Sequence, residues 1–342
     1  MNKPKKTVIK ILLFKTGAIG DTIMTTPLLR QLREHFPRAE IDYLIGDIAS
    51  QALEDNPHID NIMKFNPDIF FKRKIFAYLK LIKNIRKRKY DCIFVLDKHH
   101  IFNYTSALFH IPIRIGFDRM GKEGTKLTNK VYFDGTRHEI YYYLDLLKAC
   151  GKKPDYKDIQ TEISLSSKDL AYARDIIKKY KINKRIIVIS PGGANNPGQK
   201  ALSKTWPKEN YRELVSLLKN DYKIIFIGDK NDKQLCDYIS KDNPGIINLC
   251  GKTAIKQAAA IMKHAYKIIT NDSGSMHIAT CVNNNIIALF GPTDPKRFAP
   301  ITKNGKCLWK SKKVLNDIYG NFSEDNQKNI GKISVRDVIK CI

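Results

Sequence analysis

Apolar residues recur along the chain in short unbroken runs separated by segments of helical period, and this alternation predicts a succession of β-strands and α-helices. Val8 to Lys15 is an apolar run ending in the turn Gly17-Ala18-Ile19-Gly20-Asp21, after which Thr22 to Phe36 carries apolar residues at helical spacing. A second strand is expected at Ile41 to Ile45, a helix from Ala49 to Glu54 that stops near Pro57, and a third strand at Ile62 to Phe65. Lys72 to Lys89 reads as a very basic helix that runs into Tyr90 to Asp97, a buried strand closed by an acid. The alternation weakens through Arg114 to Phe117 and Val131 to Phe133. It returns as a helix from Glu139 to Cys150, which Gly151 and Pro154 close.

From Leu170 the pattern starts afresh, with a helix to Tyr180 and the strand Arg185 to Ser190. Helices are then expected at Lys208 to Lys219, Lys233 to Ser240, Ile255 to His264 and Met276 to Cys281. Between them fall strands at Lys223 to Ile227, Ile246 to Leu249, Lys267 to Thr270 and Ile286 to Phe290. Repeated β-α units imply a parallel sheet with helices on both faces. A chain of 342 residues exceeds what one core usually supports. The expectation is therefore α/β, with two Rossmann-like doubly wound domains facing a central cleft. Residues 1–165 form the first and 166–342 the second, divided within the polar segment Lys152 to Lys168. A last helix, Val335 to Cys341, fits either domain.

Composition narrows the setting. No apolar run approaches the roughly 20 residues that span a bilayer. The basic start, Met1 to Lys6, is followed by a stretch that Lys10 and Lys15 interrupt, which reads as a strand and not a signal peptide. Seven cysteines, odd in number and never in a Cys-x-x-Cys pair, suit a reducing cytoplasm and no zinc site. The net charge of +26 favours polyanions such as nucleic acid, anionic lipid or phosphorylated sugars, although so lysine-rich a chain can also carry such charge on a solvated surface. No RNP pattern or helix-turn-helix is present, so no specific nucleic-acid partner is expected. In Lys72 to Lys89, Ile75, Phe76, Leu79 and Ile82 share one helical face among lysines and arginines. That suits peripheral contact with an anionic membrane, and equally an ordinary amphipathic crossover helix.

Ligands of open α/β sheets sit beyond the carboxyl ends of the strands, so the strand-end loops carry the candidate chemistry. The first turn is Gly-x-x-Gly-Asp and not the Gly-x-Gly-x-x-Gly of a dinucleotide fold. Asp21 there is placed to take a proton from a hydroxyl nucleophile, or to cap the helix that follows. Gly251-Lys252-Thr253 fails as a P-loop because Ile246 stands where the first glycine is required. Asn271-Asp272-Ser273-Gly274-Ser275-Met276-His277 is a strand end, a small polar turn and a helix start. It can offer backbone N–H groups and the Ser273 and Ser275 hydroxyls to a diphosphate, while His277 also suits plain packing. Phe290-Gly291-Pro292-Thr293-Asp294-Pro295 ends the following strand in a rigid loop able to line the same site. No Asp-x-Asp pair occurs, so the charge of a leaving diphosphate would be met by lysine and helix dipoles rather than a metal.

Together these segments, from Lys15-Thr16-Gly17-Ala18-Ile19-Gly20-Asp21 to Phe290-Gly291-Pro292-Thr293-Asp294-Pro295, resemble glycosyltransferase family 9, the ADP-heptose:lipopolysaccharide heptosyltransferases. The resemblance implies a GT-B architecture with Asp21 as catalytic base. It places Lys204, in Lys204-Thr205-Trp206-Pro207, against the donor phosphates. Donor contacts implied are Pro191, Gly192 and Gly193, Gly228 and Asp232 near the ribose, Thr253 near the base, and Asp272, Ser273, Gly274, Ser275 and His277 around the diphosphate. Gly291, Pro292 and Thr293 line that site. Gly17, Gly20, Arg114 and His138 fall on the acceptor side. Two departures stand out: the loop Asn195 to Ser203 is longer than usual, and Gln257 stands where a glutamate is common. The implied activity is inverting, metal-independent transfer of a heptose or similar sugar. The donor is an ADP-sugar, no cofactor is needed, and the acceptor is a lipopolysaccharide core or related anionic glycolipid. The implied location is the cytoplasm, at or near the inner face of the membrane. The alternatives are a GT-B transferase using another nucleotide sugar and a basic nucleic-acid-binding protein.

Overall fold

The computed structural model describes residues 8–342 apart from 73, 194, 197, 198, 201, 242 and 312–328, with side chains also left out at 195, 196, 199, 200 and 202. The chain divides into two units, Met1–Ile159 and Gln160–Ile342.

In the first unit the apolar runs form β1 (Lys10–Lys15), β2 (Glu40–Gly46), β3 (Asn61–Phe65), β4 (Cys92–Val95), β5 (Ile113–Arg119) and β6 (Asn129–Phe133). They make one sheet in the order β3-β2-β1-β4-β5-β6, parallel at every pairing. Burial on both faces explains why β1 and β4 read as unbroken apolar runs. Phe14 of β1 sits at the centre of an aromatic cluster with Phe65, Phe70, Phe102 and Phe109, with ring centroids 5.7 to 6.0 Å away. Edge and tilted ring contacts of this kind add to area burial.

The helices are α1 (Ile19–Ile23), α2 (Thr26–His35), α3 (Asp47–Ser50), α4 (Asp68–Phe71), α5 (Ile75–Arg88), α6 (His100–Leu108) and α7 (Glu139–Ala149). The single helix expected over Thr22 to Phe36 is broken in two. The Thr25 hydroxyl donates to the Thr22 carbonyl and the Thr26 hydroxyl to that of Ile23, and Pro27 opens α2 where a missing N–H costs nothing. The basic helix begins later than expected, at Ile75, after the separate turn α4. Helix α6 has no expected counterpart, and β5 and β6, where the pattern weakened, are full members of the sheet joined by an irregular loop.

The second unit repeats the plan. Its elements are α8 (Ser167–Lys179), β7 (Ile186–Ser190), the two-residue strands β8 (Asn195–Asn196) and β9 (Gln199–Lys200), α9 (Lys208–Leu218), β10 (Lys223–Phe226), α10 (Lys233–Ser240), β11 (Ile247–Asn248), α11 (Ile255–Lys263), β12 (Lys267–Asn271), α12 (Gly274–Thr280), β13 (Ile286–Phe290), α13 (Pro295–Phe298), β14 (Lys306–Trp309) and α14 (Val335–Ile339). Strands β11-β10-β7-β12-β13-β14 form a second six-stranded parallel sheet. Ranked by chain order within each unit, both sheets read 3-2-1-4-5-6, the doubly wound order whose switch point lies between the first and fourth strands. The last helix packs within this unit, where Val335 and Val338 join a core with Leu214, Val215 and Trp206. The unusual loop Asn195 to Ser203 lies partly outside the described residues. Among the described residues no helix is long and apolar enough to cross a membrane.

Candidate active site

The switch point of the first sheet is the gap between the carboxyl ends of β1 and β4, and a buried charge network fills it. Lys15, the last residue of β1, is 1% exposed; its ammonium donates to Asp97 Oδ1 at 2.9 Å and lies 4.0 Å from Asp21 Oδ2. Asp97, just past β4, also accepts from the Thr16 N–H at 2.7 Å and the Thr16 hydroxyl at 2.8 Å. Burial alone would push the Lys15 ammonium toward neutrality, but Asp97 and then Asp21 outweigh it, so its pKa is raised and the cation persists. Asp21 itself stands at the rim, its side chain 40% exposed. The N-cap of α1 is Ala18, with no side-chain cap, and Asp21 sits inside the first turn.

A second cation lies beside the first. Lys98 pairs with Glu139 at 2.6 Å, donates to the Tyr143 hydroxyl at 2.8 Å and stands over the Tyr143 ring, 4.2 Å from its centroid. Burial opposes its charge, yet Glu139 and Tyr143 raise its pKa. The neighbouring His138 is the N-cap of α7, its Nδ1 accepting from the Ile140 N–H at 3.3 Å, which places it at the same sheet edge. Gly17, with φ of 145°, lies in the turn after β1, and Gly20 precedes Asp21 in the first turn of α1. Arg114 is not brought to this edge. It is level with Ile93 near the amino end of β5, and its guanidinium donates to the carbonyls of Lys126 and Ile111, both at 2.8 Å.

In the second unit the switch point lies between β7 and β12. Pro191, Gly192 and Gly193 follow β7, and Asp272, Ser273, Gly274 and Ser275 follow β12. Gly193, with φ of +101°, passes so close to Ser273 that a Cβ would meet the Ser273 Cβ at 2.3 Å. A Cβ on Gly192 would fall 1.8 Å from Asp232 Oδ1, and one on Gly228 2.6 Å from Asp232 Oδ2. The glycines thus let backbone crowd around one carboxylate. Asp232 has its pKa raised, first by burial, although N–H groups of Asp229 and Gly193 work against that. The Gly251 N–H donates to the Gly228 carbonyl at 2.9 Å, which sets Thr253 at the same edge.

Lys204 ends a single 3₁₀ turn and donates to Asp272 Oδ2 at 2.7 Å. Asp272 is 5% exposed; burial would raise its pKa, but Lys204 dominates and holds it below the ordinary carboxylate range. Two residues expected to face the donor separately are therefore paired. Gly291 is what allows this, because the Ser203 carbonyl lies 2.6 Å from where its Cβ would be. Pro292 is buried beside it and Thr293 partly so. His277 is 6% exposed on α12. Gln257 accepts from the Ala254 N–H at 2.9 Å and so caps α11.

The sequence reading missed Asn271. Only 1% exposed, it donates to the carbonyls of Pro191 at 2.7 Å and Gly192 at 3.0 Å, and its Oδ1 accepts from the Tyr211 hydroxyl at 2.9 Å and the Trp206 N–H at 3.3 Å. One buried amide thus ties the Pro191 loop, the Lys204 turn and α9 to the end of β12. Its only trace in the sequence is a polar residue closing an apolar strand. Lys98, Glu139 and Tyr143 were missed as well, because their pairing joins the loop after β4 to helix α7 across 41 and 45 residues. Among the described residues no group of three or more His, Cys, Asp or Glu could hold a metal ion.

The model of glycosyltransferase family 9 (heptosyltransferase) matches residues 78–320. Lipopolysaccharide heptosyltransferase 3 of Escherichia coli is 26% identical over 345 aligned positions, covering 94% of this chain and 93% of the relative. The crystal structure of a family 9 glycosyl transferase from Veillonella parvula superposes with a TM-score of 0.85 at 24% identity, covering 99% and 98% of the two chains. E. coli ADP-heptose lps heptosyltransferase II follows at 0.75 and 22%, covering 97% of each. These likenesses agree with the α/β, GT-B architecture of two Rossmann-like sheets. The chain therefore belongs to glycosyltransferase family 9, the heptosyltransferase family, and is a sugar-transferring enzyme.

Proposed function

We propose that this enzyme transfers a heptose, or a closely similar sugar, from an ADP-sugar to a lipopolysaccharide core or related anionic glycolipid, with inversion and without a metal. The observation that carries the reading is the content of the two switch points. One holds a half-exposed carboxylate backed by a buried ammonium, the other a glycine-lined cradle closed by Lys204. The E. coli relatives named above are heptosyltransferases, one of them described as an ADP-heptose enzyme.

In this mechanism Asp21 accepts the proton of the acceptor hydroxyl as that oxygen attacks the anomeric carbon. The buried Lys15 ammonium lies 4.0 Å from that carboxylate. The nucleotide diphosphate departs into the Pro191–Gly193 and Asp272–Ser275 loops, with its charge met by backbone N–H groups and the Lys204 ammonium. Asp232 and Thr253 meet the ribose and base, and Gly291 to Thr293 close the diphosphate side. His138, Gly17 and Gly20 sit on the acceptor side. Arg114, away from that edge, is left out of the acceptor site.

The test is transfer from ADP-heptose to a heptose-deficient core acceptor, with and without a chelator. Asp21→Asn should reduce turnover about a hundredfold or more while leaving the donor-induced rise in melting temperature intact. Wild-type turnover in that variant would remove Asp21 from the chemistry. Loss of activity on chelation would remove the metal-free mechanism.

A further inference from the structure

The basic segment from 72 to 89 holds nine lysines and arginines and no acid. The structure separates its apolar residues into two sets. Ile82 and Ile85 are buried against the first sheet at 6% and 2% exposure. Ile75, Phe76 and Leu79 are exposed at 65%, 90% and 55%, and Phe71 of α4 at 63%. An amphipathic crossover helix needs the first set only; the second set lies in water without a partner among the described residues.

At 100° per residue, Ile75, Leu79 and Phe76 occupy the same outward sector of α5 as Lys80, Lys83 and Lys87. All three lysines are exposed and none has an acidic partner among the described residues. Beside them lies an open groove of about 550 Å3, lined by Leu79, Ile82 and Leu108 together with Lys83, Arg86 and Lys87. The Arg86 guanidinium is fixed there by donating to the Leu108 carbonyl at 2.8 Å.

Position in the fold gives this patch a direction. Strand β3 ends at Phe65, and α5 returns from that end to the start of β4. Phe71, Ile75, Phe76 and Leu79 therefore belong to the end of the crossover nearest the carboxyl edge of the sheet, the edge that also carries Asp21.

We infer that the outward face of α4 and α5 is a docking surface for an anionic phospholipid bilayer. Phe71, Ile75, Phe76 and Leu79 enter the headgroup and upper acyl region, and Lys80, Lys83 and Lys87 lie against lipid phosphates. Charge complementarity selects the occupant, because exposed aromatic and branched side chains beside a run of lysines and arginines, with Asp68 of α4 already paired to Lys72, match a surface that is anionic outside and apolar beneath. Nucleic acid would use the lysines but leave the apolar wedge in water. Docking in this way presents the Asp21 edge of the unit to the membrane plane. The inference stands apart from the transfer reaction and does not require it.

The experiment is flotation of the full chain with phosphatidylcholine vesicles, with and without phosphatidylglycerol, alongside a filter assay with homopolymeric RNA. The wild type should bind the anionic vesicles, lose them at high salt, and ignore neutral ones. Phe76→Ser with Leu79→Ser should weaken vesicle binding about tenfold, and Lys80→Glu with Lys83→Glu by at least as much. Both pairs are solvent-exposed, so unchanged circular dichroism and melting should accompany the loss. No binding by the wild type, equal binding to neutral vesicles, or undiminished binding by the Phe76→Ser, Leu79→Ser variant would overturn the proposal. RNA retention that falls with the Lys80→Glu, Lys83→Glu pair while vesicle binding does not would assign the surface to nucleic acid instead.

Discussion

Asp97→Asn is the substitution that most directly probes the first switch point. In the native protein Asp97 is the near counter-charge of an ammonium whose side chain is 2% exposed. Asn keeps the size but removes the charge, and its amide N–H must then face either the Lys15 ammonium or the Thr16 N–H, both of which are donors. Breaking a buried pair by removing one partner costs about 3–5 kcal/mol. Asp21 offsets part of this from 4.0 Å, but it is half exposed and therefore screened. The expected loss is about 3 kcal/mol, a large fraction of the roughly 5–15 kcal/mol that holds a domain together. Lys15→Met should cost less, because Asp97 keeps two hydrogen bonds from Thr16. The double variant should be more stable than the sum of the singles, by up to about 3 kcal/mol of coupling. Urea unfolding followed by far-UV circular dichroism is the assay. Tryptophan emission would miss the effect, since Trp206 and Trp309 both lie in the second unit. A loss under about 1 kcal/mol for Asp97→Asn, with simple additivity in the cycle, would refute the view that these charges depend on each other.

Lys204→Met should lower kcat about a hundredfold and, because it leaves the buried Asp272 without its counter-charge, also lower the melting temperature, which calorimetry without donor measures. Gly193→Val should abolish the donor-induced thermal shift while the fold survives, because its Cβ would collide with Ser273 at 2.3 Å on a backbone with φ of +101°. Asn271→Leu should cost about 2–4 kcal/mol in denaturant unfolding, since it orphans the Pro191 and Gly192 carbonyls and the Tyr211 hydroxyl together. Acid should destabilise the enzyme in a defined window. The carboxyls of Asp145 and Asp272 resist the upward push of burial and are held low, Asp145 by Tyr156 and Arg137 and Asp272 by Lys204. The unfolded chain therefore takes up protons first as pH falls. The stability these groups add is complete above the ordinary carboxylate value of about 4 and is lost as pH drops through their lower folded values. Their contribution to the melting temperature should be constant from about pH 7 to about pH 5 and fall below that, so Asp145→Asn should flatten the acid limb, and an acid limb unchanged in that variant would contradict the assignment.

Much of the architecture was legible because a parallel sheet buried on both faces leaves unbroken apolar runs. β1, β4, β7, β12 and β13 are such runs, and the loops after β1, β7, β12 and β13 contain most of the residues singled out for chemistry. Where the pattern faded, at β5 and β6, the strands are short or partly exposed, so the periodic signal is weak although the pairing is complete. Helix α6 was missed because His99 caps its start and Asn103, Thr105 and Ser106 within it are buried polar groups that hide the apolar period.

Local sequence by itself determined which segments would be strands, where their loops would fall, and that an acid and two glycine-rich turns would stand at strand ends. Tertiary structure alone decided which of those groups meet. Lys15 reaches Asp97 across 82 residues, Asn271 holds carbonyls about 80 residues away, and Lys204 finds Asp272 across 68. Partners so far apart leave no spacing rule along the chain. They are selected by which strands are neighbours at a switch point, and by the cost of leaving a charge or an amide unpaired once water is excluded.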